Sequence, residues 1–270
     1  EATLGQIDPS SATMNLVLLG LRGVASSVLW EQAIEQQENK DWAGLRATTD
    51  SIIMLQPHFL KVWRYQGWNL AFNVSAEWDD VRDRYYWVKE GTKFLQEGTR
   101  RNKKMPELYW ETANILMNKI GRSDEWKEFR EYFREDPDKD RFGGEPDREI
   151  NPDGLDNYLV AKDWYFTANA VEEDPEIEQH ILQRMIFRSY PARAQFGYAQ
   201  TMNKEGRFNE ESLVAWDEAF RLWTEKFGRE EFETPAGSVI LEFQDEDIVR
   251  LMEEDKVTRA EKEKWTNEYQ

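Results

Sequence analysis

The chain contains no cysteine and only two histidines, His58 and His180, among 270 residues. Without thiols there are no disulfides, thiolate metal centres, cysteine nucleophiles or iron–sulfur clusters. Two histidines far apart in sequence make neither a histidine-rich metal site nor a proton relay, and each reads as a packed or surface side chain. Basic residues are also scarce: 35 Lys and Arg face 53 Asp and Glu, a formal charge of −18. Phosphate is bound by Lys and Arg, so this balance argues against nucleic acid, and against an anionic membrane surface, as the main partner. No long apolar run is present. The most apolar stretch, 14–30, carries Arg22 in its middle and falls short of the roughly 18–20 apolar residues of a membrane span. It also lacks the basic start and small-residue cleavage site of a signal peptide, and reads as a buried first helix. No glycine-rich phosphate loop, GxSxG or HExxH occurs, and no cofactor is called for.

What the chain does have is aromatic mass and helical periodicity. Twelve Trp and 13% aromatic residues overall are too many for disorder and suit wide helix–helix contacts. Asp8 before Pro9 reads as an N-cap with Pro at the first helical position, opening a helix to about residue 37. Helices are expected next over 42–55, 58–72, 79–98, 108–120 and 123–133, the fourth of these ending at Gly121. Segment 135–157, rich in Asp, Pro and Gly, reads as a loop and as the best domain boundary. Beyond it, helices are expected over 158–170, 176–190, 192–204, 210–227 and 258–268, the last with a Thr258/Glu261 capping box. The run 238–243 is strand-like, or equally a helix start. The expected class is therefore all-α, with antiparallel helical hairpins and one short β element near 238–243. Its expected domains are 1–134, an acidic loop 135–157, and 158–270.

The spacings suggest a repeat. Trp30 and Pro57 are 27 apart, as are Trp110 and Pro137, while Trp30 and Trp63 are 33 apart. This resembles the tetratricopeptide (TPR) repeat, in which Trp wedges between paired helices, a small residue four positions on lets them approach, and Pro closes the unit. Trp63 with Gly67 fits that step. A further unit at 192–227 has Gly197, Tyr198, Ala215, Ala219 and Phe220 at suitable positions. The sequence departs from the pattern in a second unit, 60–106, that is too long, and in Arg46 and Trp126 where small residues are expected. An irregular helical bundle and an α/α barrel remain alternatives to a TPR-like superhelix.

A narrower likeness rests on Leu55-Gln56-Pro57-His58-Phe59, Val62-Trp63, Gly67-Trp68-Asn69-Leu70, Asn73-Val74-Ser75 and 83–88 (DRYYWV). This set resembles an uncharacterised bacterial family with an N-terminal membrane anchor ahead of a TPR-like domain. The resemblance covers 4–135 and brings no activity with it. It implies an anchor upstream of Glu1, and so a cell-envelope location with the domain on an unspecified side. The alternative is the cytoplasm.

Three residue constellations bear on function. Asp79, Asp80 and Asp83 spell DDxxD, which resembles the Mg²⁺-binding aspartates of terpene and prenyl synthases. The interleaved Arg82 and Arg84 favour a solvated helix start instead. Asp136, Asp138 and Asp140 have the 1, 3, 5 spacing of a Ca²⁺ loop, but Arg141 occupies the place of its Gly and Asp147 that of its Glu. If Leu60 opens a repeat unit, the TPR comparison predicts a groove lined by Lys61, Arg64, Trp68, Ala71 and Phe72. From the next unit come Leu108, Glu111, Ile115, Asn118 and Lys119. A groove mixing rings with Arg and Lys suits an extended or helical peptide. Three functions are in keeping with this sequence: a protein-interaction module or scaffold, an all-α enzyme that is Mg²⁺-dependent or glycan-directed, or a structural subunit of a larger assembly, a homo-oligomer included.

Overall fold

A computed structural model describes residues 21–174, 177, 184–234 and 237–241. The protein is all-α, and the described exception is one small antiparallel β-hairpin. It divides into two compact units, 1–177 and 178–270.

Unit 1 runs through α1 (Arg22–Glu38), α2 (Trp42–Leu55), α3 (Leu60–Trp68), α4 (Val81–Arg101), α5 (Pro106–Asn114), α6 (Trp126–Arg134), the single turn α7 (Lys139–Phe142) and α8 (Asn157–Glu172). Helices α3 and α5 each continue into a π-helical stretch, Asn69–Val74 and Ile115–Ile120. Short polar residues fix the helix starts. Asp41 accepts from Gly44 N–H at 3.0 Å, Asp80 from Arg82 N–H at 2.7 Å and Asp156 from Tyr158 N–H at 3.0 Å. Pro106 begins α5, where its missing N–H costs nothing. The α1–α2 turn passes through Lys40 at φ 56°, a left-handed corner.

The first five helices pack on their neighbours in chain order, α1 on α2, α2 on α3, α3 on α4 and α4 on α5; α3 also meets α5, and α5 meets α8. Aromatic rings fill the wedges. Trp30 meets Tyr65 at 5.1 Å, Trp63 meets Phe94 at 4.9 Å, Tyr85 meets Phe129 at 5.9 Å and Trp110 meets Tyr165 at 6.1 Å between centroids. Trp63 is buried, and its indole N–H donates to the Pro57 carbonyl at 2.9 Å.

Glycine sets the closest approach of α3 to α4. A Cβ on Gly91 would lie 2.7 Å from the Gly67 carbonyl oxygen and 2.9 Å from the Ala71 amide nitrogen. Both are backbone atoms that cannot swing aside. Gly91→Ala should therefore destabilise the protein by about 1–3 kcal/mol, read as a lower urea midpoint at unchanged slope. A midpoint equal to the parent's would show that α3 and α4 can separate freely.

Unit 2 comprises α9 (Arg184–Arg188), α10 (Tyr190–Lys204), α11 (Glu210–Arg221) with its own π stretch Leu222–Phe227, and strands β1 (Phe232–Thr234) and β2 (Gly237–Val239). Phe232 pairs with Val239 and Thr234 with Gly237. The buried Gln195 amide donates to the Ala215 carbonyl at 3.1 Å and ties α10 to α11. Ala215 and Ala219 are buried, whereas Phe220 is 64% exposed.

Several expectations change. The boundary expected at 135–157 lies inside unit 1, and the units divide between residues 177 and 178. The reason is polar anchoring of a segment whose composition suggests solvent. Asn151 donates to the Phe133 and Leu155 carbonyls at 3.0 and 2.9 Å. Asn157 donates to the Leu116 carbonyl at 2.9 Å, and Tyr158 OH to the Gly121 carbonyl at 2.8 Å. Of the short β element expected near 238–243, the described residues place strand at Gly237–Val239, paired with Phe232–Thr234, while 242–243 lie outside the described residues. Asn73-Val74-Ser75 lies within helix, the Ser75 hydroxyl donating to the Ala71 carbonyl at 2.6 Å. The helix expected over 258–268, the Asp8-Pro9 start and His180 lie outside the described residues.

Candidate partner-binding face

The predicted groove positions divide by burial. Ala71, Leu108 and Ile115 are core, between 0% and 1% exposed, with Ala71 beside Gly91 and Leu108 beside Gly98 of α4. The others come together on the outer face of the α3–α5 contact. Arg64 reaches across to Glu111, with Nε 2.8 Å and Nη2 2.5 Å from Oε1. One turn further along α3, Trp68 is 45% exposed and stacks on Phe72, with centroids 5.6 Å apart at 17°. Lys119 closes the far end, its Nζ 5.5 Å from the Phe72 ring centre. Lys61 is exposed at the start of α3.

The π-helical stretches of α3 and α5 touch here, and they carry Phe72 and Lys119 respectively. A π turn fits an extra residue into the helix and re-aims the side chains beyond it. No sequence pattern announces these turns. A polar row runs beside the rings along α5: the Asn114 side chain is hydrogen-bonded to Glu111, Asn118 donates to Asn114 at 2.5 Å, and Arg122 donates to Asn118 at 3.2 Å.

Electrostatics differ at the two ends. Burial pushes the Glu111 carboxyl up, and Arg64 and Asn114 offset only part of that. Burial pushes the Lys119 ammonium down, and Arg84 adds to this, while Glu125 and Asp124 oppose it. Arg84 is itself engaged, donating to Glu125 and, at 2.5 Å, to the Trp78 carbonyl.

The acidic candidates do not converge. Asp79, Asp80 and Asp83 are all exposed, with Asp80 spent on capping α4. Asp136 is buried and turned inward, while Asp138 caps α7 by accepting from Arg141 N–H at 3.2 Å, and Asp140 is exposed. Among the described residues no group of three or more His, Asp or Glu side chains is arranged to hold a metal ion.

Sequence reasoning missed the densest charge cluster in unit 1. Lys89 Nζ lies 2.5 Å from Asp136 Oδ2 and 3.4 Å from Asp147 Oδ2. Lys93 Nζ lies 2.8 Å from Asp147 Oδ2 and 2.9 Å from Glu149 Oε2. Burial works against the Lys93 ammonium, but hydrogen bonds to Asp147 and Glu149 hold its pKa above the ordinary value. Burial raises the Asp147 carboxyl, but Lys93, the Glu149 N–H and the Lys89 charge outweigh it and hold it below the ordinary range. The Tyr85 hydroxyl beside them is pushed well up, first by burial and then by Asp136 and Asp147. The signal in sequence is Lys89 and Lys93 one turn apart on an otherwise packed helix face. The cluster fastens the 135–157 segment to α4.

No protein-family model, no curated protein and no solved structure matches this chain. Among the described residues no helix is long and apolar enough to cross a membrane.

Proposed function

We propose that this protein is an interaction module whose helical hairpins stack in a TPR-like manner and whose α3–α5 face receives a protein or peptide partner. The observation that carries the reading is Trp68. An indole nearly half exposed, stacked on Phe72 and bracketed by Arg64–Glu111 and Lys119, is a ready aromatic anchor, the residue type that dominates binding energy at interfaces. Helix packing in chain order supports the stacking. The envelope location implied by the family resemblance belongs to the same proposal.

The test uses a photo-crosslinking residue in place of Lys61, at the edge of the face, in extracts of the source cell. A discrete adduct should form and should fall at least tenfold when Trp68→Ala is added. Adduct yield unaffected by Trp68→Ala removes the face from the reading. A role as a subunit of a larger assembly is the second reading, favoured by Phe208, Leu213, Val214 and Phe220 on unit 2, which are 77%, 69%, 61% and 64% exposed. A purified chain that sediments only as a monomer leaves that reading to a different partner chain.

A further inference from the structure

We infer that the α3–α5 face recognises an extended peptide carrying one carboxylate side chain two residues from a bulky apolar side chain, the carboxylate on Lys119 and the apolar group on Trp68. The inference rests on the peptide-binding reading above and names the chemistry of its partner.

The first argument is the state of Lys119. Four of the charges on this face are already consumed in pairs, Arg64 with Glu111 and Arg84 with Glu125. Of the remaining cations, Arg122 is exposed and occupied with Asn118, and Lys61 is exposed. Lys119 alone is half-buried, and among the described residues no carboxylate lies within ion-pairing distance of it. Its near contact is the Phe72 ring face, which satisfies an ammonium only weakly. Glu107 acts on Glu111, and Glu125 and Asp124 act on Lys119, only through space, so on a chain of net charge −18 this face still carries a half-buried ammonium with no ion-pair partner among the described residues. A half-dehydrated ammonium without a carboxylate is the group an arriving anion would stabilise most. The depressed Lys119 pKa agrees with this, since its largest cause is burial.

The second argument is spacing. Lys119 Nζ is 5.5 Å from the Phe72 centroid and Phe72 is 5.6 Å from Trp68. In an extended strand, side chains on one face recur every two residues, about 6.6–6.8 Å. A carboxylate meeting Lys119 therefore places the side chain two residues away, on the same face of the strand, toward the Trp68 indole. One lone ammonium matches one carboxylate charge better than a doubly charged phosphate, which recruits Arg clusters. The polar row of Asn114 and Asn118 runs alongside and offers amide groups to a peptide backbone.

The experiment titrates the full chain against fluorescein-labelled Gly-Ser-Glu-Ser-Leu-Ser-Gly, followed by anisotropy and, to millimolar concentration, by amide and indole chemical shifts. Companion peptides replace its Glu by Gln or Lys, or its Leu by Ser. The Glu peptide should bind about tenfold tighter than the Gln peptide, the Lys peptide should not bind, and the Trp68 indole resonance should move. Lys119→Met, whose stem still covers Phe72, should reduce the Glu peptide to the affinity of the Gln peptide. Equal binding of the Glu and Gln peptides, or a preference that survives Lys119→Met, overturns the acidic inference. In that case loss of both peptides in Trp68→Ala keeps the face as a peptide site. No shift with any peptide overturns both.

Discussion

Lys89→Ala should cost the protein roughly 3–5 kcal/mol of unfolding free energy, the typical penalty for removing one partner of a buried ion pair. The Lys89 side chain is 5% exposed and the Asp136 and Asp147 side chains 1% and 4%. Its ammonium also sits 4.5 Å from the centre of the Phe142 ring, on the turn that the acidic segment forms. Removing it leaves two buried carboxylates, one of them still reached by Lys93. The 135–157 segment should then open, and protease should cut near Gly143-Gly144 in the variant before it cuts the parent. Adding Asp136→Asn to Lys89→Met should recover part of the loss, because the stranded charge disappears. A Lys89→Ala variant within about 1 kcal/mol of the parent would mean that water reaches the cluster.

The same cluster sets a pH dependence. The folded-state pKa of Asp147 lies below its ordinary value of 3.8. Its contribution is therefore complete above pH 3.8 and is lost as pH falls through the lower folded value. Glu111 has the opposite sign: its pKa is raised from 4.5, so its contribution is largest at low pH and is lost as pH rises through the folded value. In acid titrations followed by tryptophan fluorescence, Lys89→Ala should flatten the loss of stability on the acid side. An unchanged acid limb would show that Asp147 draws its stabilisation from Lys93 and the Glu149 amide alone.

Arg130→Ala is the second large effect, again about 3–5 kcal/mol. Arg130 on α6 is 2% exposed; its Nε donates to Asn157 Oδ1 at 3.0 Å and its Nη2 to Asp156. Its guanidinium also lies 5.8 Å from the ring centres of both Trp126 and Tyr158. Loss of this side chain strands the Asp156 carboxylate and loosens the start of α8. Arg130→Lys should rescue little, because an ammonium cannot serve two acceptors and two ring faces in one plane. Hydrogen exchange should rise at the first turn of α8, with exchange in α2 unchanged. Full stability in Arg130→Lys would reduce the site to a simple charge pair.

These two sites show what a one-dimensional reading cannot reach. Lys89 partners Asp136 and Arg130 partners Asp156 at sequence separations of 47 and 26, with no motif to join them. The composition of 135–157 suggests a solvated loop, because Asp, Pro and Gly favour solvent unless paired. Local signals are legible where the physics is local. Helix α2 can be placed over 42–55 because Asp41 caps it and Pro57 stops it. Trp63 and Gly67 are both legible as helix-contact residues, but the ring lies against Gly98, and Gly67 against Leu95 and Gly91. The candidate face is half legible: helical spacing puts Arg64, Trp68 and Phe72 on one stripe and Glu111 and Lys119 on another. Burial then removes Ala71, Leu108 and Ile115 from it.

The sequence by itself determined the helical class, most helix limits in unit 1 and the lack of thiol chemistry, since each depends on residue type and short-range periodicity. Only the tertiary structure decided that the acidic segment is fastened inside unit 1, that the unit boundary falls at 177/178, and that Lys119 lies against Phe72 with no carboxylate in ion-pairing distance among the described residues. Those outcomes depend on which distant charges share a desolvated site. That is a matter of three-dimensional packing, and no periodicity encodes it.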